Sequence, residues 1–418
     1  MRALHLVKTV DGAMWALRQM TALRARGVDV TVALPSATAG LAPHYAERGI
    51  TVVAADLDVP PRRPWRLPGA LARCRRLVAE TCPDLIHSHF VSTTLVARLA
   101  LGRAHPIPRL FQVPGPLHLE HASFRALDLA TAGARDYWIG SCRFTVDEYR
   151  RCGVAPERLA LSYYGTDLGA FEAAAPGALR RELGIGAGTP LIGMVAYMYP
   201  PKRFLGQRRG LKGHEDLIDA FPAIARALPG ARLVLAGGEW GGGTRYAARI
   251  AARARAVGGD AIHLLGTRRD VAAIYADLDV AVQPSLSENC GGAVESLAAG
   301  CPTVATSVGG LPDVVRHGET GWLVTPRRPD ALADAVIAAL ADRAEARRRA
   351  LAGRALMHTL FAIERTADEI AALYERVLAR GAPRVDATAP LETAGAQPPR
   401  AAAPATMPGR EGAPACTP

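Results

Sequence analysis

Short apolar segments rich in β-branched residues alternate with helical patterns over the first third of the chain. The predicted strands are Ala3–Val7, Val28–Leu34, Ile50–Ala54, Leu85–His87, Arg109–Val113 and Tyr137–Ile139. Between them, a helix is predicted over 14–26, because Leu17, Met20 and Leu23 fall on one stripe with helical spacing. Repeated strand–helix alternation predicts a parallel sheet with helices on both faces.

The alternation pauses over 176–188, a segment rich in Pro, Gly and Ala that suits a linker with a short helix, and then starts again. The later predicted strands are Leu191–Ala196, Arg232–Ala236, Ile262–Leu265, Val280–Gln283, Thr303–Ala305 and Trp322–Val324. A strong helical period marks 213–228, and a last helix is predicted over 361–379. The pattern therefore predicts an α/β protein with two doubly wound, Rossmann-like domains, 1–175 and 176–360. Residues 361–380 are expected to form a helix that packs back on the first domain.

Residues 381–418 lose all periodicity. Of these 38 residues, 19 are Ala or Pro and none is aromatic. Such a segment buries too little apolar surface to offset its ordering entropy, so we predict a disordered tail.

Composition narrows the functional classes. No run of about 18 uncharged apolar residues occurs, so no transmembrane helix is predicted. Seven cysteines are scattered without a Cys-x-x-Cys pair, which indicates neither a zinc site nor a disulfide framework and favours a reducing cytoplasm. The net charge of +11 favours anionic partners.

One early segment, 60–80, concentrates this positive charge. It holds six arginines, one acidic residue and Trp65. Either this is a solvated helix face, or it rests on anionic lipid headgroups at the inner face of the cell membrane. Nucleic-acid binding is the weakest alternative, because no recognisable nucleic-acid motif is present.

Two doubly wound domains that face each other form a cleft at the carboxyl ends of their strands, where ligands bind in such sheets. The loops that follow strands are therefore the informative ones. The loop after the first strand carries Gly12, which would let a phosphate approach backbone N–H groups at the start of a helix.

The richest loop lies between the strand 280–283 and the strand 303–305. It carries Glu288 and Asn289, then a Gly291-Gly292 pair that opens a helix, with Glu295 in that helix. Free N–H groups at the glycines, together with the helix dipole, suit a diphosphate. A carboxylate in the helix can accept hydrogen bonds from two sugar hydroxyls.

This block resembles the donor-sugar signature of the retaining family 4 glycosyltransferases (glycosyl transferases group 1). In that family a Glu-x7-Glu motif precedes an Ala-Gly-x-Pro-Val turn. Here six residues separate Glu288 from Glu295, whereas Glu295 lies in the matching Glu-Ser-Leu-Ala-Ala-Gly context. The resemblance spans about 1–380 and implies a GT-B fold, in which domain 1–175 binds the acceptor and domain 176–360 binds the nucleotide sugar.

A second similar stretch ends in Lys212-Gly213. In the family, a strand ending in Val-Gly-Arg is followed by Lys-Gly, and the Arg and Lys hold the donor diphosphate. Tyr197 occupies approximately that Arg position here, and the loop is longer. The missing charge could come from Arg203, which we favour, or from one of two further arginines in the same loop, Arg208 and Arg209.

Other stretches similar to the family complete the predicted site. Gly238 and the pair Gly266-Thr267 stand at strand ends where relatives hold the phosphates and the base. His118 follows a strand where relatives carry an active-site histidine, which could hydrogen-bond the donor hexose. His87 and His89, in Asp-Leu-Ile-His-Ser-His, resemble a family strand end and could be structural or functional.

The resemblance implies transfer of a hexosyl unit from a nucleoside diphosphate sugar to an acceptor hydroxyl, with retention. The acceptor is expected to be a saccharide or a lipid-linked molecule, as in cell-envelope, exopolysaccharide or glycolipid synthesis. His118, Lys212 and Glu288 are the expected catalytic residues, with no metal and no cofactor, since no Asp-x-Asp occurs at a strand end. The alternatives are a nucleotide-sugar epimerase or a sugar phosphorylase on the same fold, or a non-catalytic nucleotide-sugar-binding protein.

Overall fold

A computed structural model describes residues 1–60, 62–203 and 206–380 of the chain. The predicted tail, 381–418, lies outside the described residues. Within the described ranges there are two parallel sheets, one of seven strands and one of six, each covered by helices. The predicted α/β architecture of two doubly wound units is confirmed.

The first sheet has the strand order β3-β2-β1-β4-β5-β6-β7, and all its neighbours pair in parallel. The strands are β1 (Arg2–Leu6), β2 (Asp29–Leu34), β3 (Thr51–Ala54), β4 (Leu85–Ser88), β5 (Arg109–Val113), β6 (Asp136–Gly140) and β7 (Leu159–Leu161). The sequence pattern missed β7, because three half-buried residues at a sheet edge carry too little hydrophobic signal.

The second sheet has the order β10-β9-β8-β11-β12-β13. The strands are β8 (Leu191–Val195), β9 (Arg232–Ala236), β10 (Ile262–Gly266), β11 (Val280–Gln283), β12 (Thr303–Thr306) and β13 (Trp322–Val324). Each was predicted to within one residue at either end. The strand order reverses between β8 and β11, and the loops that follow these strands open into the cleft between the sheets.

The helices cover the two sheets and join them. In the first half they are α1 (Met14–Ala25), α2 (Ala42–Glu47), α3 (Leu67–Thr81), α4 (Val91–Leu101), α5 (Ala122–Thr131), α6 (Arg143–Arg151), α7 (Gly169–Glu172) and α8 (Ala178–Leu183). In the second half they are α9 (His214–Ala227), α10 (Arg245–Gly258), α11 (Val271–Asp277), α12 (Gly291–Ala298), α13 (Leu311–Val314), α14 (Pro329–Ala341), α15 (Arg343–Phe361) and α16 (Ile363–Ala379).

The last helix crosses back to the first sheet. α15 packs on α12 of the second unit, whereas α16 packs on α1 of the first. Ile370, Leu373, Tyr374 and Val377 are buried in the same apolar cluster as α1 and the strands of the first sheet. An ion pair between Arg26 and Asp368, 2.5 Å from Nε to Oδ1, holds the outer side of this contact.

Polar contacts also cross directly between the units. Asp313 accepts hydrogen bonds from the Arg143 backbone N–H (2.7 Å) and from the Tyr163 hydroxyl (2.9 Å). Ser287 donates to Glu120 at 2.6 Å. These contacts fix the mouth of the cleft beside the Glu288 loop.

Candidate active site

A cavity of about 280 Å³ lies at the carboxyl ends of β8, β9 and β11. Among the predicted site residues, those that line it are Lys212, Thr267, Gly291, Gly292 and Glu295. Tyr197, Tyr199, Arg268 and Gln283 also line it. The predicted residues outside this lining, among those that the structure describes, are Gly12, His118, Arg203, Gly238, Gly266, Glu288 and Asn289.

Lys212 is positioned by the turn that starts α9. Gly213, the N-cap residue, has φ +75°, a conformation that L side chains rarely adopt, and a Cβ there would collide with the carbonyl of Pro284. Lys212 therefore enters the cavity from a fixed backbone. Its ammonium forms an ion pair with Glu288 and lies 5.9 Å from the centroid of the Tyr199 ring.

Glu288 stands at the rim of the cavity rather than in its lining. Besides Lys212, its carboxylate accepts hydrogen bonds from the Ser285 hydroxyl (3.2 Å) and from the backbone N–H of Asn289 (3.1 Å). The spacing between Glu288 and Glu295 is one residue shorter than in the family pattern. The Glu288 carboxylate nevertheless reaches the predicted lysine, Lys212. The Asn289 amide oxygen is buried and has no hydrogen-bond partner among the described residues.

The N-terminus of α12 forms one wall. Gly291 has φ +45°, and a Cβ on it would lie 2.7 Å from the Glu288 carboxyl carbon. A Cβ on Gly292 would lie 2.7 Å from the Gln283 amide nitrogen and 2.8 Å from the Tyr275 hydroxyl. A side chain at either position would displace its neighbours, so the glycines leave this wall to backbone N–H groups and the positive end of the helix dipole.

Glu295 faces this cavity from the second turn of α12. Burial raises the pKa of its carboxyl group, while the charges of Arg18 and Lys212 act in the opposite direction. Arg18 lies on α1 of the first unit and donates a 2.5 Å hydrogen bond to the Thr166 hydroxyl. The sequence pattern did not predict Arg18, because nothing local shows that this residue of α1 comes near enough to Glu295 for its charge to act there.

Two tyrosines of the cavity lining pack against Trp240. Tyr197 and Tyr199 have ring centroids 5.0 and 5.6 Å from that of Trp240. Gly12, in the loop after β1, approaches the same tryptophan so closely that a Cβ on Gly12 would lie 2.7 Å from the indole ring. The predicted glycine loop of the first unit therefore meets the second unit at Trp240 instead of lining the cavity.

The predicted phosphate-side residues lie at the ends of β9 and β10. A Cβ on Gly238 would lie 2.5 Å from the Thr267 hydroxyl oxygen, and the Gly237 N–H donates to the Gly266 carbonyl at 2.7 Å. Gly237 itself lines the cavity, one residue before the predicted glycine. Of the three predicted residues Gly238, Gly266 and Thr267, Thr267 lines the cavity.

The arginine of the cavity differs from those singled out in the sequence. Arg203 and Arg208 are exposed, and Arg209 is ion-paired with Asp216 and Asp219. Arg268 lines the cavity instead and forms ion pairs with Glu182 (2.6 Å) and Asp270 (2.6 Å). The signal that could have found it is the Gly-Thr-Arg run directly after β10.

His118 lies in a 3-10 turn after β5 and is buried against the first sheet. Its Nε2 is 3.0 Å from the Tyr149 hydroxyl oxygen and 3.5 Å from Asp128 Oδ2. Asp128 also forms an ion pair with Arg98, 2.5 Å from Oδ1 to Nη1. In this arrangement His118 belongs to a buried polar network of the first unit and is not brought to the cavity.

Comparisons with known proteins identify the family and fold that this chain resembles. Residues 13–170 match the family model described as Glycosyltransferase Family 4, and residues 203–342 match that of Glycosyl transferases group 1. The chain is 29% identical over 399 residues to a D-inositol 3-phosphate glycosyltransferase of Actinosynnema mirum, covering 86% of this chain and 91% of that protein.

A D-inositol 3-phosphate glycosyltransferase of Mycobacterium tuberculosis is 30% identical over 312 residues. This match covers 71% of the present chain, and the chain spans 62% of the length of that relative. Among solved structures, Anabaena HepE in complex with UDP-glucose superposes with a TM-score of 0.75 at 19% identity, covering 90% of this chain and 100% of that one. Sucrose-phosphate synthase from Thermosynechococcus elongatus gives 0.73 at 23% identity, covering 91% and 100%.

Proposed function

The chain belongs to the family 4 glycosyltransferases of the GT-B type, and we propose that it transfers a hexosyl unit from a nucleoside diphosphate sugar to an acceptor hydroxyl. The observation that carries this proposal is the cavity in which Lys212, the N-terminus of α12 and Glu295 meet. Cationic and carboxylate groups are thereby placed side by side, as a donor with a diphosphate and a sugar requires.

The diphosphate is the leaving group, and its negative charge grows as the glycosidic bond breaks. The Lys212 ammonium and the N–H groups of Gly291 and Gly292, which line the cavity, would stabilise that charge. Arg268 supplies a further cation at the same cavity. We propose that these groups suffice and that the transfer needs no metal ion.

The sugar would lie against the carboxylates. Glu295 can accept hydrogen bonds from two hydroxyls in a desolvated site, where charge-assisted bonds are strong. Glu288 would reach the sugar from the rim once the diphosphate takes over its contact with Lys212. We propose retention of configuration, with same-face attack of the acceptor assisted by the leaving phosphate, and assign no enzymic nucleophile.

The acceptor would enter between the two units. HepE is known in complex with UDP-glucose, and the relatives from Actinosynnema and Mycobacterium are named D-inositol 3-phosphate glycosyltransferases. We propose a UDP-type donor and a saccharide or lipid-linked acceptor of cell-envelope synthesis. Within the described ranges, no helix is both long and apolar enough to cross a membrane.

A basic segment could bring the enzyme to such an acceptor. Trp65 is 72% exposed in the 3-10 turn that precedes α3, and Arg62 and Arg63 beside it are also exposed. Arg66, by contrast, is ion-paired with Asp56. We propose that Trp65 and its exposed arginines contact anionic lipid; sedimentation with vesicles containing phosphatidylglycerol should fall in the Trp65→Ala variant.

A donor screen that measures released nucleotide, with and without acceptors, tests the proposed reaction. Acceptor-dependent release and a glycosylated product are expected. Conversion of the donor sugar without an acceptor would indicate an epimerase, and a requirement for inorganic phosphate would indicate a phosphorylase. Donor binding without any turnover would favour the non-catalytic alternative.

A further inference from the structure

Three histidines meet inside the first unit, away from the nucleotide cavity. His5 lies on β1 directly beside His87 on the neighbouring strand β4, and His89 follows two residues later. Side chains two residues apart share one face of a sheet, so the three rings stand together. All three are fully buried, and one ring nitrogen from each lies within 4.8 Å of the other two.

One nitrogen of each ring lies within hydrogen-bond distance of a tyrosine hydroxyl group. The Tyr374 hydroxyl oxygen lies 2.5 Å from His87 Nδ1 and 3.2 Å from His5 Nε2. The Tyr164 hydroxyl oxygen lies 3.0 Å from His89 Nδ1. The opposite nitrogens are His5 Nδ1, His87 Nε2 and His89 Nε2.

One of those opposite nitrogens lacks a hydrogen-bond partner. His5 Nδ1 and His89 Nε2 are hydrogen-bonded to each other at 2.9 Å. His87 Nε2 is buried with no hydrogen-bond partner among the described residues. An unpaired polar atom in a dry interior is unfavourable, so hydrogen bonds within the protein leave this cluster unsatisfied at His87.

The positions of the nitrogens are compatible with a metal ion. Imidazole nitrogens bind Zn²⁺ at about 2.0–2.1 Å, so two ligand nitrogens on one tetrahedral ion lie about 3.3 Å apart. The facing nitrogens of His5 and His89 are 2.9 Å apart, and one nitrogen from each of the three rings lies within 4.8 Å of the others. Rotation of the rings would bring the three nitrogens to a common ion.

The tyrosines also suit metal binding. A histidine that ligates a metal through one ring nitrogen carries its proton on the other, and that N–H donates to a nearby acceptor, which orients the ring. Here the acceptors would be the hydroxyl oxygens of Tyr374 and Tyr164.

We propose that His5, His87 and His89 form a structural site that binds one zinc ion. Tyr374 and Tyr164 would orient the three rings through hydrogen bonds. The site would tie β1 to β4, and through Tyr374 it would tie α16 to the first sheet. This inference is independent of the glycosyl transfer proposed above, since none of the five residues lines the nucleotide cavity.

The test is metal content and spectroscopy of tag-free protein produced in medium supplemented with zinc or with cobalt. We expect about one equivalent of metal per chain after dialysis, visible d–d bands for the cobalt form, and a higher melting temperature than after refolding with a chelator. Metal below about 0.1 equivalent after both production and refolding with zinc would overturn the proposal.

Two variants and a control separate a built site from adventitious binding. His87→Gln should lose the metal and the cobalt bands. Tyr374→Phe keeps the ring in the core but removes the hydroxyl, so metal affinity should fall about 10- to 100-fold while the fold is retained. His44→Gln alters an exposed histidine and should leave metal binding unchanged. Equal metal retention in all three variants would contradict the assignment.

Discussion

Lys212 and Glu288 form an ion pair across the mouth of the donor cavity, although they are 76 positions apart in the chain. Glu288 receives the Ser285 hydroxyl and the Asn289 N–H as well, so the carboxylate keeps partners if the lysine moves. A diphosphate that enters would compete with Glu288 for the ammonium. In the proposed reaction the pair would therefore link binding of the diphosphate to release of a carboxylate beside the sugar.

Replacing Lys212 should affect turnover more than donor binding. The charge of the diphosphate grows in the transition state, so the ammonium contributes more there than in the ground state. Loss of such a contact typically costs about 100- to 1000-fold in rate, and we expect this for Lys212→Ala. Lys212→Arg should keep partial activity. Steady-state kinetics with saturating acceptor decide: equal turnover of wild type and Lys212→Ala would remove Lys212 from the site.

Glu288→Gln separates the sugar contact from the diphosphate contact. Without the carboxylate charge Lys212 is free for the diphosphate, so affinity for a nucleoside diphosphate alone should be unchanged or higher. The affinity for the complete nucleotide sugar should fall relative to the affinity for the nucleoside diphosphate alone, because a contact with the sugar is lost. Calorimetry with both ligands measures the ratio. An equal change for both ligands would show that Glu288 does not contact the sugar.

Glu295 should give donor binding a dependence on pH. Its raised pKa means that the carboxylate takes up a proton at a higher pH than an ordinary glutamate as the solution is acidified. The protonated form is a poorer acceptor, so donor affinity should fall with decreasing pH through this raised pKa. Glu295→Gln should remove that step, and Glu295→Ala should weaken binding, each lost charged hydrogen bond costing about 1.5–3 kcal/mol. A donor affinity independent of Glu295 at every pH would contradict the assignment.

Asp128 should matter for stability. It is buried with Arg98, Tyr149 and His118; burial alone would raise its pKa, but these partners lower it to about 2. The pKa of Asp128 in the folded protein is lower than that of an unfolded aspartate, which is about 3.9. The ionised carboxylate therefore contributes to the free energy of unfolding above about pH 4, and this contribution is lost as the pH falls towards 2. Asp128→Asn leaves the Arg98 charge less compensated and should cost about 3–5 kcal/mol.

Denaturant unfolding at neutral pH measures that cost. Asp147→Asn provides the matched control, because Asp147 forms a 2.6 Å ion pair with Arg150 that is largely exposed to solvent. Exposed pairs contribute little, so this variant should unfold nearly as the wild type does. Similar stability of the two variants would show that the buried network around Asp128 is not needed for folding.

Local signals were sufficient to predict the strands of this fold other than β7, and about half of the donor cavity. Hydrophobic periodicity depends on near neighbours along the chain, which is why the strands of the second sheet were located almost to the residue. Lys212-Gly213 and the Gly291–Glu295 segment were also found from sequence, because a turn and the helix that follows it fix their residues relative to one another.

Sequence patterns alone predicted two doubly wound units, the glycine-bounded loops at their strand ends and the family to which the chain belongs. The meeting of distant side chains became visible only in the folded chain: the charge of Arg18 acts on Glu295, Arg268 rather than Arg203 lines the cavity, and His118 lies in a buried network. These contacts depend on how whole sheets and helices pack across the cleft, and the packing of distant surfaces leaves no periodic or local signal in the chain.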